Sequence, residues 1–351
     1  MKSEPALRFL SSFHTWWLTP IAGALGGYLA YLAHWPLPWM IGSLLGVVFI
    51  RCCGWLTQEV PHSRKGGQWI IATGIGLHFN QAIMAEIGEH VLVIVLGTVL
   101  TVAASVTGII LLRRSGEDRA TAFFASMPGG ANEMVNLAYR HGANLPRVAA
   151  GQSLRMMLVL LSIPAIYTVL FGENAKTQIH SATVDASWLL PILALGALLA
   201  LLFQRLRLPN AWQLGALLVS IVFSVTFDLR IGLPAGAGQI GQWLIGSSLG
   251  CYFDRPFFRR APAFMLRTLL ATLLAVSIAV PLAAGLGWLT GLDSRSLMLG
   301  MVPGGIAEMS LTAEALHLLV PLVTAMQVLR LLLVLFLAQP AYKLWLRHVR
   351  D

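Results

Sequence analysis

The sequence predicts an all-α polytopic membrane protein with about ten transmembrane helices, arranged as two inverted five-helix repeats. The first observation is composition: of 351 residues, 57% are hydrophobic and only 11% are charged, against about a quarter charged in soluble domains. The second is that apolar runs near the length of a span, about 20 residues, recur along the chain, as in Val91–Leu112 and Leu316–Leu337. The third is an internal duplication.

The duplication is visible as short motifs that recur about half a chain apart. Gly67–Phe79 aligns with Gly241–Phe253 at an offset of 174 residues, and six of the thirteen positions are identical. Three more matches keep the same order and pair Trp39–Gly42 with Trp212–Gly215, Pro128–Met134 with Pro303–Met309, and Gln152–Arg155 with Gln327–Arg330. Self-similarity at a fixed period indicates a repeat architecture. We therefore predict a first membrane repeat over residues 1–175 and a second over 186–351.

Each repeat supplies five predicted spans and one interrupted element. The spans lie near residues 15–33, 37–53, 67–85, 91–112 and 148–171, and then near 188–204, 209–227, 239–253, 268–290 and 318–338. The interrupted elements, 120–140 and 296–315, begin apolar and break at a Pro-Gly-Gly segment. Such an element either crosses the membrane or enters it and returns.

The distribution of positive charge favours one of these two arrangements. If the interrupted elements return, the five-span repeats are inverted, and Arg205, Arg207 and the four arginines of 255–267 face the cytoplasm together with both termini. If the elements cross, the six-span repeats are parallel and these arginines face outward. Because Arg and Lys concentrate in cytoplasmic loops, the sequence favours inverted repeats with the 172–187 loop outside.

Several functional classes have little support in the sequence. The net charge of +9 comes from short clusters between apolar segments, and no basic stripe or reader motif predicts nucleic-acid binding. Cys52, Cys53 and Cys251 form neither a CxxC pair nor a disulfide framework, and the nine histidines show no metal-ligand spacing. We therefore expect no cofactor, no metal and no enzymatic activity.

The two Pro-Gly-Gly breaks are the leading candidates for a binding site. They are formed by Pro128, Gly129, Gly130, Pro303, Gly304 and Gly305. Backbone groups freed by a break are not tolerated against lipid, so each break is buried in protein or lines an aqueous cavity. A helix that starts after glycine points its amides at an anion or a hydrated ion. We predict that the breaks face each other across the site; the alternative is a pair of packing hairpins.

Polar residues follow each break within the first helical turn. Asn132 and Glu133 follow the first break, and Glu308 occupies the position of Glu133 after the second. An acid at membrane depth is a candidate for function, so we expect the two glutamates to bind the coupling proton or cation. The alternative is that each glutamate caps the start of its own helix.

A glutamine and an arginine recur downstream of each break. Gln152 with Arg155, and Gln327 with Arg330, lie three residues apart and therefore share one helix face. A guanidinium group suits carboxylate or phosphate in a forked geometry. Each arginine either pairs with the preceding glutamate or contacts an anionic substrate, and the two roles are compatible if substrate competes for the arginine.

With these motifs, the chain resembles the membrane AbrB family over nearly its whole length. The residues that carry the resemblance are the Pro-Gly-Gly-x-x-Glu-Met segments at Pro128–Met134 and Pro303–Met309 and the Gln-x-Leu-Arg segments at Gln152–Arg155 and Gln327–Arg330. The resemblance implies a bacterial inner-membrane protein of about ten spans. Members are often labelled AbrB family transcriptional regulators or ammonia monooxygenases. The small soluble DNA-binding regulator of the same name is not similar, and the oxygenase label lacks a histidine cluster here.

The function we expect is secondary transport of a small anionic or zwitterionic organic solute, coupled to protons or sodium. Inverted repeats with interrupted helices are the architecture of secondary transporters, and this step is an argument by analogy. The expected partners are the solute, the coupling ion and the lipid bilayer, and a homodimer stays open. The alternative is a membrane-bound regulator or sensor that influences gene expression without transport, with the loop Asp254–Arg267 as its contact surface.

Overall fold

The computed structural model describes residues 4–55, 57–171 and 184–348, which form α-helices and the loops that connect them. The chain ends and most of the 172–187 loop, for which the sequence predicts a location, lie outside this range. The helices are α1 (Glu4–Leu32), α2 (Pro38–Cys52), α3 (Ser63–Gly76), α4 (Gln81–Glu89), α5 (Val91–Ala104), α6 (Val106–Arg114), α7 (Arg119–Ser126), α8 (Ala131–Arg140), α9 (Leu145–Phe171), α10 (Ala186–Arg205), α11 (Ala211–Phe227), α12 (Ala237–Gly250), α13 (Arg255–Arg260), α14 (Pro262–Thr290), α15 (Ser294–Met301), α16 (Ile306–Ala315) and α17 (Val320–His348).

Five helical segments are long and apolar enough to cross a membrane. They are Val91–Arg114, Leu145–Phe171, Ala186–Arg205, Pro262–Thr290 and Val320–Arg347. Two further helices, α2 and α11, are apolar but shorter. The chain is therefore a membrane-embedded helical protein, while the count of ten spans and the inverted orientation of the repeats stay predictions.

The third predicted span, near residues 67–85, is shorter in the structure. Helix α3 ends at Gly76, and the separate helix α4 begins at Gln81. The chain turns between them, where the Ser224 hydroxyl on α11 donates to the carbonyl oxygen of Phe79 at 2.6 Å. A carbonyl group that has left the helical ladder is thus satisfied by a neighbouring helix, which allows the helix to end inside the protein.

The described residues form two compact units that combine parts of both sequence repeats. Unit 1 comprises Met1–Asn80 and Lys176–Arg260, and unit 2 comprises Gln81–Ala175 and Ala261–Asp351. The division falls near the middle of each predicted repeat. The repeat boundaries 1–175 and 186–351 describe similarity along the chain, whereas each unit is built from the first half of both repeats or the second half of both.

In unit 1, helices of the first repeat pack against helices of the second. The pairs α1–α2 and α10–α11 each pack as neighbours, while α3 packs against α11 and α12 packs against α2. A Cβ on Gly76 would lie 3.0 Å from the carbonyl oxygen of Leu217, and one on Gly250 would lie 2.9 Å from that of Leu44. Small residues permit such close helix contacts in membrane proteins, so the duplicated glycines serve equivalent contacts.

The two tryptophans of the duplicated Gly-Gln-Trp motif also make equivalent contacts across the repeats. The Trp69 indole N–H donates to the carbonyl oxygen of Leu193 on α10 at 3.1 Å. The Trp243 indole N–H donates to that of Pro20 on α1, also at 3.1 Å. Each tryptophan therefore binds the first helix of the other repeat.

Unit 2 contains both interrupted elements and the helices that support them. Helices α7 and α8 pack against α9, and α15 and α16 pack against α17. Helix α14 packs against α5, α6, α9 and α15. All the site residues predicted from the sequence lie in this unit.

Candidate functional site

The first interrupted element consists of two short helices joined by an extended segment. Helix α7 begins at a cap, where the Asp118 carboxylate accepts from the amide of Thr121 at 2.8 Å. Met127 has φ −63° and ψ 129°, because a residue that precedes proline is pushed out of the helical region. Gly130 is also extended, with φ −64° and ψ 136°, and α8 follows it. The predicted interruption is present in the structure.

The second interrupted element repeats this conformation. The Asp293 carboxylate accepts from the amide of Ser296 at 2.9 Å at the start of α15. Val302, which precedes Pro303, has φ −67° and ψ 136°. Gly305 has φ −96° and ψ 160°, and α16 begins at the next residue. The same motif therefore produces the same backbone path in both repeats.

Gln152 and Arg155 on α9 satisfy carbonyl groups at the first break. The Gln152 amide donates to the carbonyl oxygens of Phe124 at 2.7 Å and Met127 at 2.9 Å. The Arg155 guanidinium donates to the carbonyl oxygens of Met127 at 3.0 Å and Gly129 at 3.4 Å, and to Oε1 of Gln152 at 2.8 Å. The end of a helix carries unpaired carbonyls and partial negative charge. A buried cation is therefore stabilised at the end of α7.

Gln327 and Arg330 on α17 do the same at the second break. The Gln327 amide donates to the carbonyl oxygens of Gly300 and Val302, both at 3.0 Å, with a longer contact of 3.4 Å to Leu299. The Arg330 guanidinium donates to the carbonyl oxygens of Val302, at 2.8 Å, and of Gly304. The sequence predicted that each glutamine and arginine share a helix face. It did not predict backbone carbonyls as their partners.

The remaining positions of the Pro-Gly-Gly-x-x-Glu-Met motif are explained by contacts within the motif. A Cβ on Gly129 would lie 2.7 Å from Cε of Met134, and one on Gly304 would lie 2.6 Å from Cγ of Met309. Both methionines are buried. The first glycine of each break therefore leaves room for the methionine of the following helix, which folds back against it.

Glu133 and Glu308 fold back against the second glycine of their breaks. A Cβ on Gly130 would overlap the Glu133 carboxylate, and one on Gly305 would overlap that of Glu308. Each carboxylate therefore lies at the start of its own helix, where the helix dipole favours negative charge. Glu308 is buried, whereas Glu133 is half-buried and the neighbouring Asn132 is exposed. This geometry fits the helix cap, and the binding of a coupling ion stays a prediction.

Several buried polar atoms at the breaks have no hydrogen-bond partner among the described residues. They are Nε of Arg155, Nε of Arg330, Oε1 of Gln327 and Oγ of Ser126. The two arginines are only 8% and 5% exposed. Buried polar groups are normally paired, so these four atoms are candidates for hydrogen bonds to a ligand or to water.

One cavity in unit 2 is shared by the two breaks. Pro128, Pro303 and the side chain of Arg155 line it, and its volume is about 30 Å³. Because one water needs about 10–15 Å³ measured in this way, the cavity has room for about two waters. Gly129, Gly130, Gly304, Gly305, Asn132, Glu133, Gln152, Glu308, Gln327 and Arg330 are not part of its wall.

Sequence reasoning missed the hydroxyl groups of this wall, which belong to Thr101, Ser105, Ser126, Thr268 and Thr272. Two pairs of them are spaced by four residues within apolar spans, a spacing that places both members on one helix face. That spacing is the signal that could have found them. The threonine hydroxyls donate to carbonyls of their own helices, as Thr101 does to Gly97 at 2.9 Å.

The chain is similar to known proteins over most of its length. A protein-family model named AbrB and described as "Transition state regulatory protein AbrB" matches residues 39–346. A Bacillus subtilis (strain 168) protein named "Uncharacterized protein YhjN" is 29% identical over 367 residues, which cover 95% of this chain and 93% of the relative. An Escherichia coli (strain K12) protein named "Putative regulator AbrB" is 28% identical over 320 residues, which cover 88% of this chain and 89% of the relative. The family match includes both interrupted elements and the arginines that bind them, and the chain therefore belongs to the AbrB family.

Proposed function

We propose that this protein is a secondary transporter of a small anionic or zwitterionic organic solute, coupled to protons or sodium. The observation that carries the proposal is that both breaks and the buried Arg155 side chain line one cavity. In secondary transporters, broken helices at corresponding positions of two repeats form the binding site for substrate and coupling ion. In unit 2, Pro128 of the first break and Pro303 of the second line the same cavity, and this supports the proposal.

The free energy that is needed to bury two arginines at the breaks supports a functional role over a purely packing role. Taking an ion out of water costs several kcal/mol even after relaxation, and Arg155 and Arg330 are both almost completely buried. The uncharged amides of Gln152 and Gln327 already satisfy carbonyl groups at the breaks, so the additional burial of two positive charges favours a role beyond packing. Ionisable residues inside a membrane protein mark substrate and ion pathways, so we assign Arg155, which lines the cavity, to the binding of an anionic group.

Charge balance suggests how an ion is coupled to the solute. The two positive charges of Arg155 and Arg330 are equalled in number by the carboxylates of Glu133 and Glu308, one of which follows each break. An anionic solute adds negative charge to this set, and a proton or a sodium ion on a glutamate offsets it. We therefore propose that Glu133 and Glu308 bind the coupling ion, and that the protein performs no catalytic step.

The proposed location is the bacterial inner membrane with both termini in the cytoplasm. The arginines of 255–267 support this orientation, because positive residues concentrate on the cytoplasmic side. Three of them, Arg255, Arg259 and Arg260, belong to the short helix α13 that precedes the span Pro262–Thr290.

The alternative function is a membrane-bound regulator without a transport cycle. The observation that favours it is that the family description and the Escherichia coli relative both carry the word regulator or regulatory. The contact surface would be the Asp254–Arg267 segment, whose first residue pairs with Arg51 at 3.6 Å. Replacing Arg255 and Arg259 by glutamine should then abolish the regulatory effect and leave solute binding intact.

A ligand screen tests the transport proposal. The purified full-length chain is unfolded thermally against carboxylates, amino acids and phosphates, with and without sodium and at two pH values. A ligand that binds the folded state raises the unfolding temperature by mass action. We expect a solute-specific shift that depends on sodium or pH and is lost in the Glu133→Gln/Glu308→Gln double variant.

The matched control is Glu314→Gln, which removes an exposed carboxylate from the same helix as Glu308. This variant should keep the full ligand response. A flat response to the whole panel, or an equal loss in the control, would count against transport and favour the regulator.

A further inference from the structure

We infer that the cavity of unit 2 binds the carboxylate of a short-chain monocarboxylate, held by Nε of Arg155 and Oγ of Ser126. The inference rests on the proposed function and narrows its substrate from anionic or zwitterionic solutes to one chemical class. Three observations carry it: two donors without acceptors, the sign of the charge in the wall, and the size of the space.

The first observation is that two polar atoms of cavity-lining residues have no partner among the described residues. Nε of Arg155 and Oγ of Ser126 are both buried and unpaired, and both residues line the cavity. Each can donate a hydrogen bond, and a carboxylate has two oxygens to accept them. Arg155 is 8% exposed, so bulk water does not reach most of its side chain.

The second observation is the charge of the wall. Arg155 is the only ionisable residue that lines the cavity within the part of the chain that the structure describes. Its two terminal nitrogens are held by the carbonyl oxygens of Met127 and Gly129 and by Gln152. These bonds fix the orientation of the guanidinium group, and its Nε–H has no acceptor among the described residues. A positive wall without a carboxylate favours an anion and disfavours an ammonium group, which argues against a zwitterion.

The third observation is the size of the space. Its volume is about 30 Å³, which suits one carboxylate group. Gly108 keeps this space open, because a Cβ there would lie 3.0 Å from Oγ of Ser126 and 3.3 Å from Cβ of Ala271. A second anionic group finds no second cation in the wall, and the wall also contains the apolar side chains of Leu112, Ala275 and Met301. The solute therefore carries one carboxylate on a short apolar chain.

Acetate is the probe for the experiment. The purified full-length protein is unfolded thermally in rising sodium acetate, with sodium chloride and sodium gluconate at equal ionic strength as comparison salts. We expect acetate alone to raise the unfolding temperature in a saturable way. Gluconate carries a carboxylate on a chain too bulky for the cavity, and chloride offers no pair of oxygens.

Two variants test whether acetate binds in the cavity. Ser126→Ala removes a hydroxyl that bonds nothing in the described protein, so it should fold as the wild type does and bind acetate at least about tenfold more weakly. Gly108→Ala puts a methyl group against Ser126 and should abolish the response. The control is Ser162→Ala, whose hydroxyl bonds Leu158 within α9 at 2.7 Å and lies outside the wall.

The outcomes separate this inference from the transport proposal. Acetate binding that depends on Ser126 supports the inference, even if reconstituted vesicles show no flux and transport is thereby contradicted. Equal shifts with chloride, no shift with acetate, or an acetate shift unchanged in both Ser126→Ala and Gly108→Ala overturns the inference. Ion-coupled flux of another solute, equal in the wild type and Ser126→Ala, also overturns it but leaves the transport proposal standing.

Discussion

Arg330 donates a hydrogen bond to the carbonyl oxygen of Val302 at 2.8 Å, where the first half of the second interrupted element ends. The equivalent bond in the first repeat joins Arg155 to Met127 at 3.0 Å. Carbonyls freed by a helix break need partners inside a membrane protein, and here the long helix that follows each break supplies them. The Pro-Gly-Gly and Gln-x-Leu-Arg motifs therefore form one structural device that occurs twice.

Removing the arginine should destabilise the fold. Arg330→Met leaves the carbonyls of Val302 and Gly304 without their charged donor, and we expect the free energy of unfolding to fall by about 3 kcal/mol. Arg330→Lys keeps the positive charge but lacks the planar guanidinium that can donate to two carbonyls at once. Its free energy of unfolding should therefore lie between those of the wild type and Arg330→Met. Unfolding of the detergent-solubilised variants measures both values.

The control for this series is Arg230→Gln. Arg230 has a side chain that is 90% exposed and pairs with Asp228 at 4.0 Å, and such surface pairs contribute about 0–1 kcal/mol. A loss in Arg230→Gln as large as that in Arg330→Met would show that the effect does not come from the break.

The second glycine of the break should be coupled to the glutamate. Gly305→Ala places a methyl group where the Glu308 carboxylate lies, and overpacking of this kind costs about 1–3 kcal/mol. In a Glu308→Ala background the same change should cost less, with a coupling energy of about 1 kcal/mol. A double-mutant cycle on the free energy of unfolding measures it.

Gly285→Ala on α14 is the matched glycine control, because a Cβ there meets no atom within 4 Å. It should leave stability unchanged or raise it slightly through helix propensity. Strictly additive losses for Gly305→Ala and Glu308→Ala would contradict the proposed contact.

The paired tryptophans should contribute equally to unit 1. Trp69→Phe and Trp243→Phe each remove one indole hydrogen bond to a carbonyl of the other repeat. We expect each to lower the free energy of unfolding by about 1 kcal/mol. Trp288→Phe, at a position 84% exposed, should have no such effect, and unequal losses for Trp69 and Trp243 would argue against equivalent contacts.

His141 should make stability fall in mild acid. Its ring stacks on Phe124 with centroids 5.6 Å apart and lies 4.8 Å from the Tyr342 ring. Burial, followed by the charges of Lys343 and Arg140, lowers the pKa of His141 below its ordinary value of 6.5. The unfolded chain therefore takes up a proton at His141 more readily than the folded protein does. The contribution of neutral His141 to the free energy of unfolding is full above pH 6.5 and is lost as the pH falls below it.

The test compares unfolding temperatures at about pH 7.5 and about pH 5.5, the range in which an imidazole titrates. His141→Phe keeps an aromatic ring in contact with Phe124 and Tyr342 and removes the titrating group. We expect it to reduce the acid sensitivity of the wild type. Identical pH profiles for the two proteins would exclude His141 as the cause.

Much of the local structure could be predicted from the sequence. Proline and two glycines interrupt a helix for steric reasons that do not depend on the rest of the fold, and both interruptions lie where they were expected, after Ser126 and Met301. The shared face of Gln152 and Arg155 follows from helix geometry alone. These features are local, so a single sequence contains the information that determines them.

The tertiary arrangement could not be predicted in the same way. Apolar periodicity identifies a buried face but does not say which helix covers it, so the packing of α3 on α11 and of α12 on α2 was not foreseen. For the same reason the sequence left two partners open for each arginine, the preceding glutamate or an anionic substrate, and it did not predict that the carbonyls of Met127 and Gly129 bind Arg155. Ser126 was missed because nothing near it in sequence shows that it faces a cavity.

The most direct test of the account is uptake of labelled monocarboxylates, beginning with acetate, into vesicles that contain the purified protein. The account predicts saturable uptake that requires a sodium or proton gradient and is lost in the Glu133→Gln/Glu308→Gln variant but retained in Glu314→Gln. Uptake that is absent under every gradient, or that persists unchanged in the double variant, would contradict the claim that the two breaks form an ion-coupled transport site.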